Sequence, residues 1–180
     1  MDVPPVTGYF VTHTIMTLHI CGLLETLHLR QKFTHLVSIV EPRFASAIPS
    51  LGIPPERRLL LLCDDVSNDD PSYGGAVQPP SREMIQTALT FTASLTAHDQ
   101  LLVHCLHGIS RSTALAYAIL CQAHPAKQET DVLRLVLKNR PNAYPNSLIV
   151  TLADDLLNRQ GRMVDALEAY LMDPEGFAKG

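Results

Sequence analysis

Three short apolar runs recur along the chain and predict buried β-strands. They are HLVSIV (35–40), LLLLC (59–63) and LLVHC (101–105), and none of them alternates between polar and apolar positions. Strands buried on both faces have this pattern, as in a parallel sheet covered by helices. The segment GYFVTH (8–13) is a weaker candidate for a further strand.

Between and after these runs, apolar residues recur with the period of an α-helix. Ser81 is predicted to cap SREMIQTALTFTASL, Thr130 to cap DVLRLVLKNR, and Asn146 to cap SLIVTLADDLLNR. Gly161 interrupts the pattern before MVDALEAYL. The segment ALAYAILC is apolar all round, which predicts a central, buried helix. Together these elements predict an α/β fold, a three-layer sandwich with a mostly parallel central sheet flanked by helices.

Length and composition predict a globular protein of one domain. The 180 residues, 46% of them apolar and 18% charged, are expected to form a single globular domain over residues 1–180. The formal net charge of −4 gives no reason to expect a nucleic acid or a membrane surface as partner. Any site that binds an anion must therefore be formed by a few residues in one place and not by a broad basic face.

Targeting and cysteine usage point to a cytoplasmic setting. The opening MDVPPV lacks the features of a signal peptide, and no apolar run is long enough to span a bilayer. The cysteines show neither CxxC pairing nor the density of a disulfide scaffold, so a reduced environment is expected. They are Cys21, Cys63, Cys105 and Cys121.

The segment HCLHGISRS (104–112) places a thiol and a guanidinium in one short loop between a predicted strand and a predicted helix. A loop in this position turns backbone N–H groups inward and can bind an anion. A thiol at a helix N-terminus beside a cation has its pKa lowered to roughly 3.5–7.5. Cys105 meets both conditions and is expected to be a nucleophilic thiolate. Arg111 supplies a planar fork for two phosphate oxygens, which lysine does not reproduce.

The other positions of this segment have supporting roles. Gly108 allows a backbone turn that a side chain would obstruct. Ser112 could donate its hydroxyl to the sulfur and ease departure of the thiolate, and His104 is expected to orient the loop and tune the thiol. His107 could face a substrate or water, and both interpretations stay open. The residues expected to contact a phosphoryl group are Leu106, His107, Gly108, Ile109, Ser110 and Arg111.

The same segment resembles the His-Cys-x-x-Gly-x-x-Arg-Ser signature of cysteine-dependent protein tyrosine and dual-specificity phosphatases. The likeness covers residues 35–160 and includes YPNSLIVTLADDLL, which is similar to the Pro-Asn helix start that follows the family's signature helix. The chain resembles a compact group of bacterial predicted tyrosine phosphatases more than the eukaryotic enzymes. The resemblance implies a phosphotyrosine phosphatase-like fold and a two-step phosphoryl transfer through a phosphocysteine, with no metal or cofactor.

Such a mechanism needs a general acid to protonate the leaving oxygen and then a base for the attacking water. The stretch LLLLCDDVSNDDPSYGG offers Asp64, Asp65, Asp69 and Asp70. In compact enzymes of the resembling family the acid lies just past a strand equivalent to LLLLC. That register favours Asp65, with Asp64 as its neighbouring rival and the other two as further alternatives. A divalent-metal site is the competing interpretation of these carboxylates.

Two further residues take a role from the resemblance alone. Some related phosphatases protect their nucleophile with a nearby cysteine, which suggests a Cys63–Cys105 disulfide on oxidation; a buried core thiol is the alternative for Cys63. The family also suggests that Asn146 hydrogen-bonds the phosphate loop, and capping its helix is the alternative role.

The expected activity is hydrolysis of phosphotyrosine, and in second place of phosphoserine and phosphothreonine, with phosphate, sulfate or vanadate as active-site anions. The variable loop positions carry no lysine, which argues against highly phosphorylated lipids and RNA ends as substrates. A small-molecule phosphatase and a phosphate-binding module without turnover are the alternatives. The presence of the cysteine, the arginine and a candidate acid favours an enzyme.

Overall fold

The computed structural model of the protein describes residues 16–68 and 77–179. The candidate strand at 8–13 and two of the candidate acids, Asp69 and Asp70, lie outside the described residues. Of the helices in the described part of the chain, none combines the length and apolar character needed to cross a bilayer.

The sheet of the described residues is parallel throughout, with the strand order β1-β4-β2-β3. The three apolar runs form three of its strands, as predicted. The fourth, β1, has the sequence TLHICG and was not predicted from the pattern. The strands are β1 (Thr17–Gly22), β2 (His35–Val40), β3 (Arg58–Leu62) and β4 (Gln100–Cys105).

Six α-helices and three short 3₁₀ helices lie among the described residues. The α-helices are α1 (Arg82–Thr92), α2 (Arg111–Ala123), α3 (Glu129–Asn139), α4 (Ser147–Leu156), α5 (Arg162–Met172) and α6 (Pro174–Lys179). The 3₁₀ helices are Leu24–His28, Pro42–Ala47 and Pro55–Arg57.

Two of the three predicted helix caps are confirmed. The Ser81 side chain accepts a hydrogen bond from the Met84 N–H at the start of α1. The Asn146 side chain accepts one from the Ile149 N–H at the start of α4. Each satisfies an N–H that the first turn of a helix leaves without an intrahelical partner.

The third cap prediction is wrong, because α3 begins at Glu129 and its N-cap lies two residues before Thr130. Gln128 is the N-cap residue, and its side chain makes no capping bond. The buried carboxylate of Glu129 accepts hydrogen bonds from Arg159 and Arg162, both at 3.0 Å. These long-range bonds fix the first turn of α3, so tertiary contacts override the local preference for threonine.

The α-helices pack on one face of the sheet, and α2 is central, with nearly every residue buried. On the opposite face the described residues form a smaller apolar cluster of Cys21, Leu36, Ile53 and Leu102, against which Leu29, at the end of the first 3₁₀ helix, and Phe33 pack. The prediction of an α/β fold with a parallel sheet flanked by helices is confirmed.

All four strands run in the same direction, so their carboxyl ends meet at one edge of the sheet. Ligand sites of open parallel sheets lie at this edge. The segments that leave it are the first 3₁₀ helix after β1, the second after β2, the pair Asp64–Asp65 after β3, and the loop 105–111 after β4. The residues at this edge of the sheet therefore come from four separate parts of the chain.

Candidate active site

Cys105 ends β4 and points its thiol into the turn that begins α2. The Gly108 N–H donates a hydrogen bond to the sulfur over 3.2 Å, and the Ser112 hydroxyl oxygen lies 3.2 Å from it. The cysteine is buried, with only 2% of its surface exposed. Two of the predicted supporting residues thus contact the predicted nucleophile.

The carbonyl groups of the loop bond to the surrounding scaffold. The Leu106 carbonyl accepts a hydrogen bond from the Leu23 N–H over 3.1 Å. The guanidinium of Arg140 donates to the carbonyls of His107 and Gly108, over 3.4 Å and 3.1 Å. Three consecutive carbonyls are therefore held from outside the loop.

The next two carbonyls are engaged in the same way, by the segment that joins α3 to α4. The Ile109 carbonyl accepts from the Tyr144 N–H over 2.8 Å, and the Ser110 carbonyl accepts from the Asn146 N–H over 3.3 Å. With its carbonyls bonded outward, the loop is free to direct amide N–H groups to its inner side. Such concave amide clusters bind anions.

Two glycines allow the loop to pack against the end of β1. Gly108 has φ of +71°, a left-handed conformation that side chains disfavour, and a Cβ there would lie 2.5 Å from the Cys21 carbonyl carbon and the Gly22 nitrogen. A Cβ on Gly22 would lie 3.0 Å from the His107 carbonyl carbon. The sequence anticipated the requirement at Gly108 but not its partner in β1.

Arg111 is a buried cation with an unused donor. Its side chain is 1% exposed, and it donates to the Cys63 carbonyl over 2.8 Å and to a Glu41 carboxylate oxygen over 3.1 Å. Its Nε has no hydrogen-bond partner among the described residues. Burial acts to lower the pKa of Arg111, but the hydrogen bond that it donates to Glu41 and the charge of Asp65 outweigh burial and raise that pKa. The guanidinium is therefore permanently charged.

Glu41 was missed by sequence reasoning. It directly follows β2, where an isolated glutamate is typical of a solvated loop. In the fold it is buried and forms an ion pair with Arg111, which lies 70 residues away in sequence. The pair orients the arginine side chain. The only signal available in the sequence was a carboxylate placed just past the end of a predicted parallel strand.

Asp65 and Asp64 have different surroundings. One Asp65 carboxylate oxygen, Oδ1, accepts from the Ser110 hydroxyl over 2.7 Å and from the Asn146 amide over 2.9 Å. Its other oxygen, Oδ2, lies 3.7 Å from Arg111 Nε. Asp64 instead accepts from the backbone N–H of residue 78, over 2.8 Å, away from the loop. The structure thus places Asp65, and not Asp64, beside the loop 105–111.

Asn146 connects three parts of the site. Its backbone N–H bonds to the loop at Ser110, and its side-chain amide donates both to Asp65 and to the Val66 carbonyl, each over 2.9 Å. The contact with the loop is therefore made by its backbone. Its side chain holds the segment after β3 and caps α4 at the same time.

His104 is fully buried near the end of β4, beside Ser38 of β2. Its Nδ1 lies 3.4 Å from the Cys105 carbonyl, which can only accept, so the ring carries its proton on Nδ1. Burial lowers the pKa of His104 and keeps the ring neutral. Nε2 then accepts a hydrogen bond from the Ser38 hydroxyl over 2.8 Å. His107, in contrast, is exposed.

Cys63 is a free, fully buried thiol, and so is Cys105. Burial raises the pKa of the Cys63 thiol to about 12, and the Arg111 charge offsets only part of that rise. Cys63 acts on the site through its carbonyl, which accepts from Arg111. Disulfide formation between the two cysteines stays a prediction.

Comparison with solved structures identifies the fold. A Cydia pomonella PTP-2 phosphatase matches with a TM-score of 0.58 at 19% identity, covering 80% of this chain and 88% of that one. Tk-PTP in its active form matches with 0.58 at 17%, covering 87% and 99%. PTPMT1 in complex with PI(5)P matches with 0.58 at 15%, covering 82% and 93%. Neither the protein-family models nor the curated protein sequences gave a match.

These likenesses define the class of fold. The chain has the fold of the protein tyrosine and dual-specificity phosphatases, as the signature 104–112 predicted. At this level of identity the comparison concerns the backbone, and the chemistry has to be argued from the side chains of the site.

Proposed function

We propose that the protein is a phosphomonoesterase that hydrolyses phosphotyrosine through a phosphocysteine intermediate. The observation that carries the proposal is the buried Arg111, which lies in the same loop as the Cys105 thiol and whose Nε makes no hydrogen bond among the described residues. An unpartnered donor on a buried cation is costly unless an anion completes it. A phosphoryl group in the loop would supply that anion.

In the first step the Cys105 thiolate attacks phosphorus, the P–S bond forms, and the bond to the leaving oxygen breaks. The phosphoryl oxygens bind the loop amides and the fork of Arg111. Asp65 donates a proton to the leaving oxygen. Since its Oδ1 already accepts two hydrogen bonds, the proton is carried by Oδ2. The alcohol or phenol leaves neutral.

In the second step a water molecule attacks the phosphocysteine. The ionised Asp65 takes a proton from the water at Oδ2, the P–S bond breaks, and inorganic phosphate is released. The Ser112 hydroxyl, 3.2 Å from the sulfur, donates a hydrogen bond to the departing thiolate. The proton that Asp65 gave up is thereby restored, and the scheme requires no metal ion or organic cofactor.

The proposed substrate is a phosphorylated protein, with phosphotyrosine first and phosphoserine or phosphothreonine second. The variable positions of the loop, residues 106, 107, 109 and 110, carry no lysine or arginine. A polyanionic substrate would leave its extra charges without partners there. Phosphate, sulfate and vanadate are the expected active-site anions.

The experiment that tests the proposal measures the release of phosphate from p-nitrophenyl phosphate by the wild-type protein in excess EDTA. Steady release of phosphate is expected, and acid quenching during turnover should give protein heavier by one phosphoryl group, mapped by mass spectrometry to Cys105. Turnover with a phosphoryl group on another residue, or none on the protein, would contradict the covalent scheme. No turnover would remove the enzyme assignment.

Asp65→Asn should slow a poor leaving group far more than a good one, because only the poor one needs the proton. General acids contribute roughly 10²–10⁴-fold. We expect a loss of roughly 10²-fold in kcat/KM on phenyl phosphate and less than roughly tenfold on p-nitrophenyl phosphate. Asp64→Asn is the matched control and should affect both substrates equally. If Asp64→Asn showed the selective loss instead, the acid would be Asp64.

A further inference from the structure

The hydroxyl of Ser110 bonds away from its own helix. Ser110 occupies the N-cap position of α2, where a serine side chain ordinarily accepts a hydrogen bond from an N–H of the first turn. Here the side chain makes no capping bond, and its hydroxyl donates to Asp65 Oδ1 over 2.7 Å. A serine of the loop 105–111 is therefore joined to the candidate acid, which lies 45 residues earlier in the sequence.

The side-chain amide of Asn146 supplies a second donor to the same oxygen. Its Oδ1 accepts from the Ile149 N–H over 3.1 Å, which fixes the orientation of the amide group. Its Nδ2 donates to Asp65 Oδ1 and to the Val66 carbonyl, each over 2.9 Å. Because Asn146 is buried, both ends of its amide are committed to these partners.

The two donors are themselves connected through the backbone. The Asn146 N–H donates to the Ser110 carbonyl over 3.3 Å, so a ring of three hydrogen bonds joins Ser110, Asp65 and Asn146. Both side-chain bonds of the ring end on Asp65 Oδ1, whereas Oδ2 lies 3.7 Å from the Nε of Arg111. One oxygen of the carboxyl group is thus held by the scaffold, and the other lies beside the arginine that is proposed to bind the phosphoryl group.

Which oxygen is held matters for the transfer of a proton. A hydrogen-bond donor next to a carboxyl oxygen opposes protonation of that oxygen, so two donors at Oδ1 favour the acidic proton on Oδ2. The terminal torsion of an aspartate is otherwise broad and roughly two-fold, which lets the two oxygens exchange places. Without the two donors, the carboxyl group could rotate and turn its proton away from the leaving oxygen.

We propose that Ser110 and Asn146 are positioning residues for the general acid, which hold Asp65 through Oδ1 so that the protonated Oδ2 faces the leaving oxygen. The inference rests on the proposed function and assigns two residues to its acid step. The expected contact of Ser110 with a phosphoryl group then falls to its backbone N–H. A misplaced carboxyl group costs rate only where the leaving oxygen needs the proton.

The first test compares Ser110→Ala with Ser110→Thr, which keeps a hydroxyl. The quantity measured is kcat/KM for p-nitrophenyl phosphate divided by kcat/KM for phenyl phosphate. Ser110→Ala should raise this ratio roughly fivefold over wild type, and Ser110→Thr should keep it within roughly twofold. Inhibition by inorganic phosphate should change less than roughly twofold in either variant, because Arg111 and the loop amides are retained.

The second test uses Asn146→Ser, which removes the amide donor but keeps an oxygen that can cap α4, since serine and asparagine are comparable N-cap residues. It should raise the same ratio roughly fivefold. Ser81→Ala is the matched control, because it removes the side-chain cap of α1. It should lower the melting temperature and leave the ratio unchanged, which separates loss of a helix cap from loss of the bond to Asp65.

Two further measurements separate Ser110 from a general effect on the loop. The Thr113 hydroxyl donates to the carbonyls of Ile109 and Ser110, over 2.5 Å and 2.8 Å, so Thr113→Val removes a hydroxyl of the same turn and should slow both substrates alike. In an Asp65→Asn background, Ser110→Ala should change the ratio no further, because the serine acts through the acid.

Failure of this inference is distinguishable from failure of the proposed function. Absence of p-nitrophenyl phosphate turnover in wild type removes the proposed function itself, and an unselective Asp65→Asn moves the acid elsewhere. With a selective Asp65→Asn, an unchanged ratio in Ser110→Ala or in Asn146→Ser removes the positioning role of that residue alone. A further rise of the ratio when Ser110→Ala is added to Asp65→Asn also overturns the inference. Thermal unfolding checks each variant, and Asn146→Ser decides the outcome if Ser110→Ala does not fold.

Discussion

Cys105→Ser is expected to reduce turnover of p-nitrophenyl phosphate by at least about 10⁴-fold. A serine hydroxyl at that position has no base within hydrogen-bond distance among the described residues: its nearest polar contacts are the Gly108 N–H and the Ser112 hydroxyl. It therefore stays protonated and is a poor nucleophile. The rest of the loop 105–111, including Arg111, is unchanged, so inorganic phosphate should still bind.

The measurement pairs steady-state rates with phosphate binding by calorimetry. Cys121→Ala is the matched control, since Cys121 is also fully buried but lies in the core of α2, and it should keep nearly full kcat/KM. Residual turnover of Cys105→Ser above about one part in a thousand would rule out this thiol as the nucleophile. Loss of phosphate binding together with turnover would indicate a collapsed loop.

Arg111→Lys should lower kcat/KM by roughly 10²–10⁴-fold although it keeps the positive charge. A lysine cannot reproduce the planar fork, so two charge-assisted hydrogen bonds to the phosphoryl oxygens are lost, each contributing roughly 1.5–3 kcal/mol. The retained charge still faces Glu41, so the melting temperature should fall much less than in Arg111→Ala. That variant would leave the Glu41 carboxylate buried and unpaired.

Rates on p-nitrophenyl phosphate and thermal unfolding separate the two effects. Arg82→Lys, on the exposed surface of α1, serves as the control and should match wild type in both. An Arg111→Lys protein with near-normal kinetics would show that the phosphoryl group is held by the loop amides without this side chain. The proposed role of the unpartnered Nε would then be wrong.

The three predicted strands were readable because each is an uninterrupted apolar run that the fold buries. β1 was missed because its sequence, TLHICG, has a threonine and a histidine among its apolar residues. His19 is nevertheless 7% exposed and sits against the ring of Phe33 on the sheet face opposite the α-helices. Pattern alone does not distinguish such a strand from a loop, since the partners that bury its polar residues are distant in sequence.

At the candidate active site, too, the residues that lie close together in sequence could be predicted, and the contacts between distant residues could not. The motif around Cys105 and Arg111 is contiguous, so its spacing was informative. Glu41 and the side-chain contacts of Asn146 depend on strand ends that meet only in the folded sheet. The sequence left four aspartates as candidates for the acid and favoured Asp65, and the contact of Asp65 with Ser110 separates it from Asp64. Their roles in turnover stay predictions.

The contact between Gly22 and Gly108 has a consequence for laboratory evolution of this scaffold. Gly108 belongs to the loop and Gly22 lies behind it, and a single methyl group on Gly108 would lie 2.5 Å from the backbone of β1. Mutational tolerance around the site should therefore depend on backbone packing as well as on contact with a substrate. Libraries built on this scaffold can randomise exposed residues such as Leu24 and Tyr144, whereas the two glycines must be left untouched.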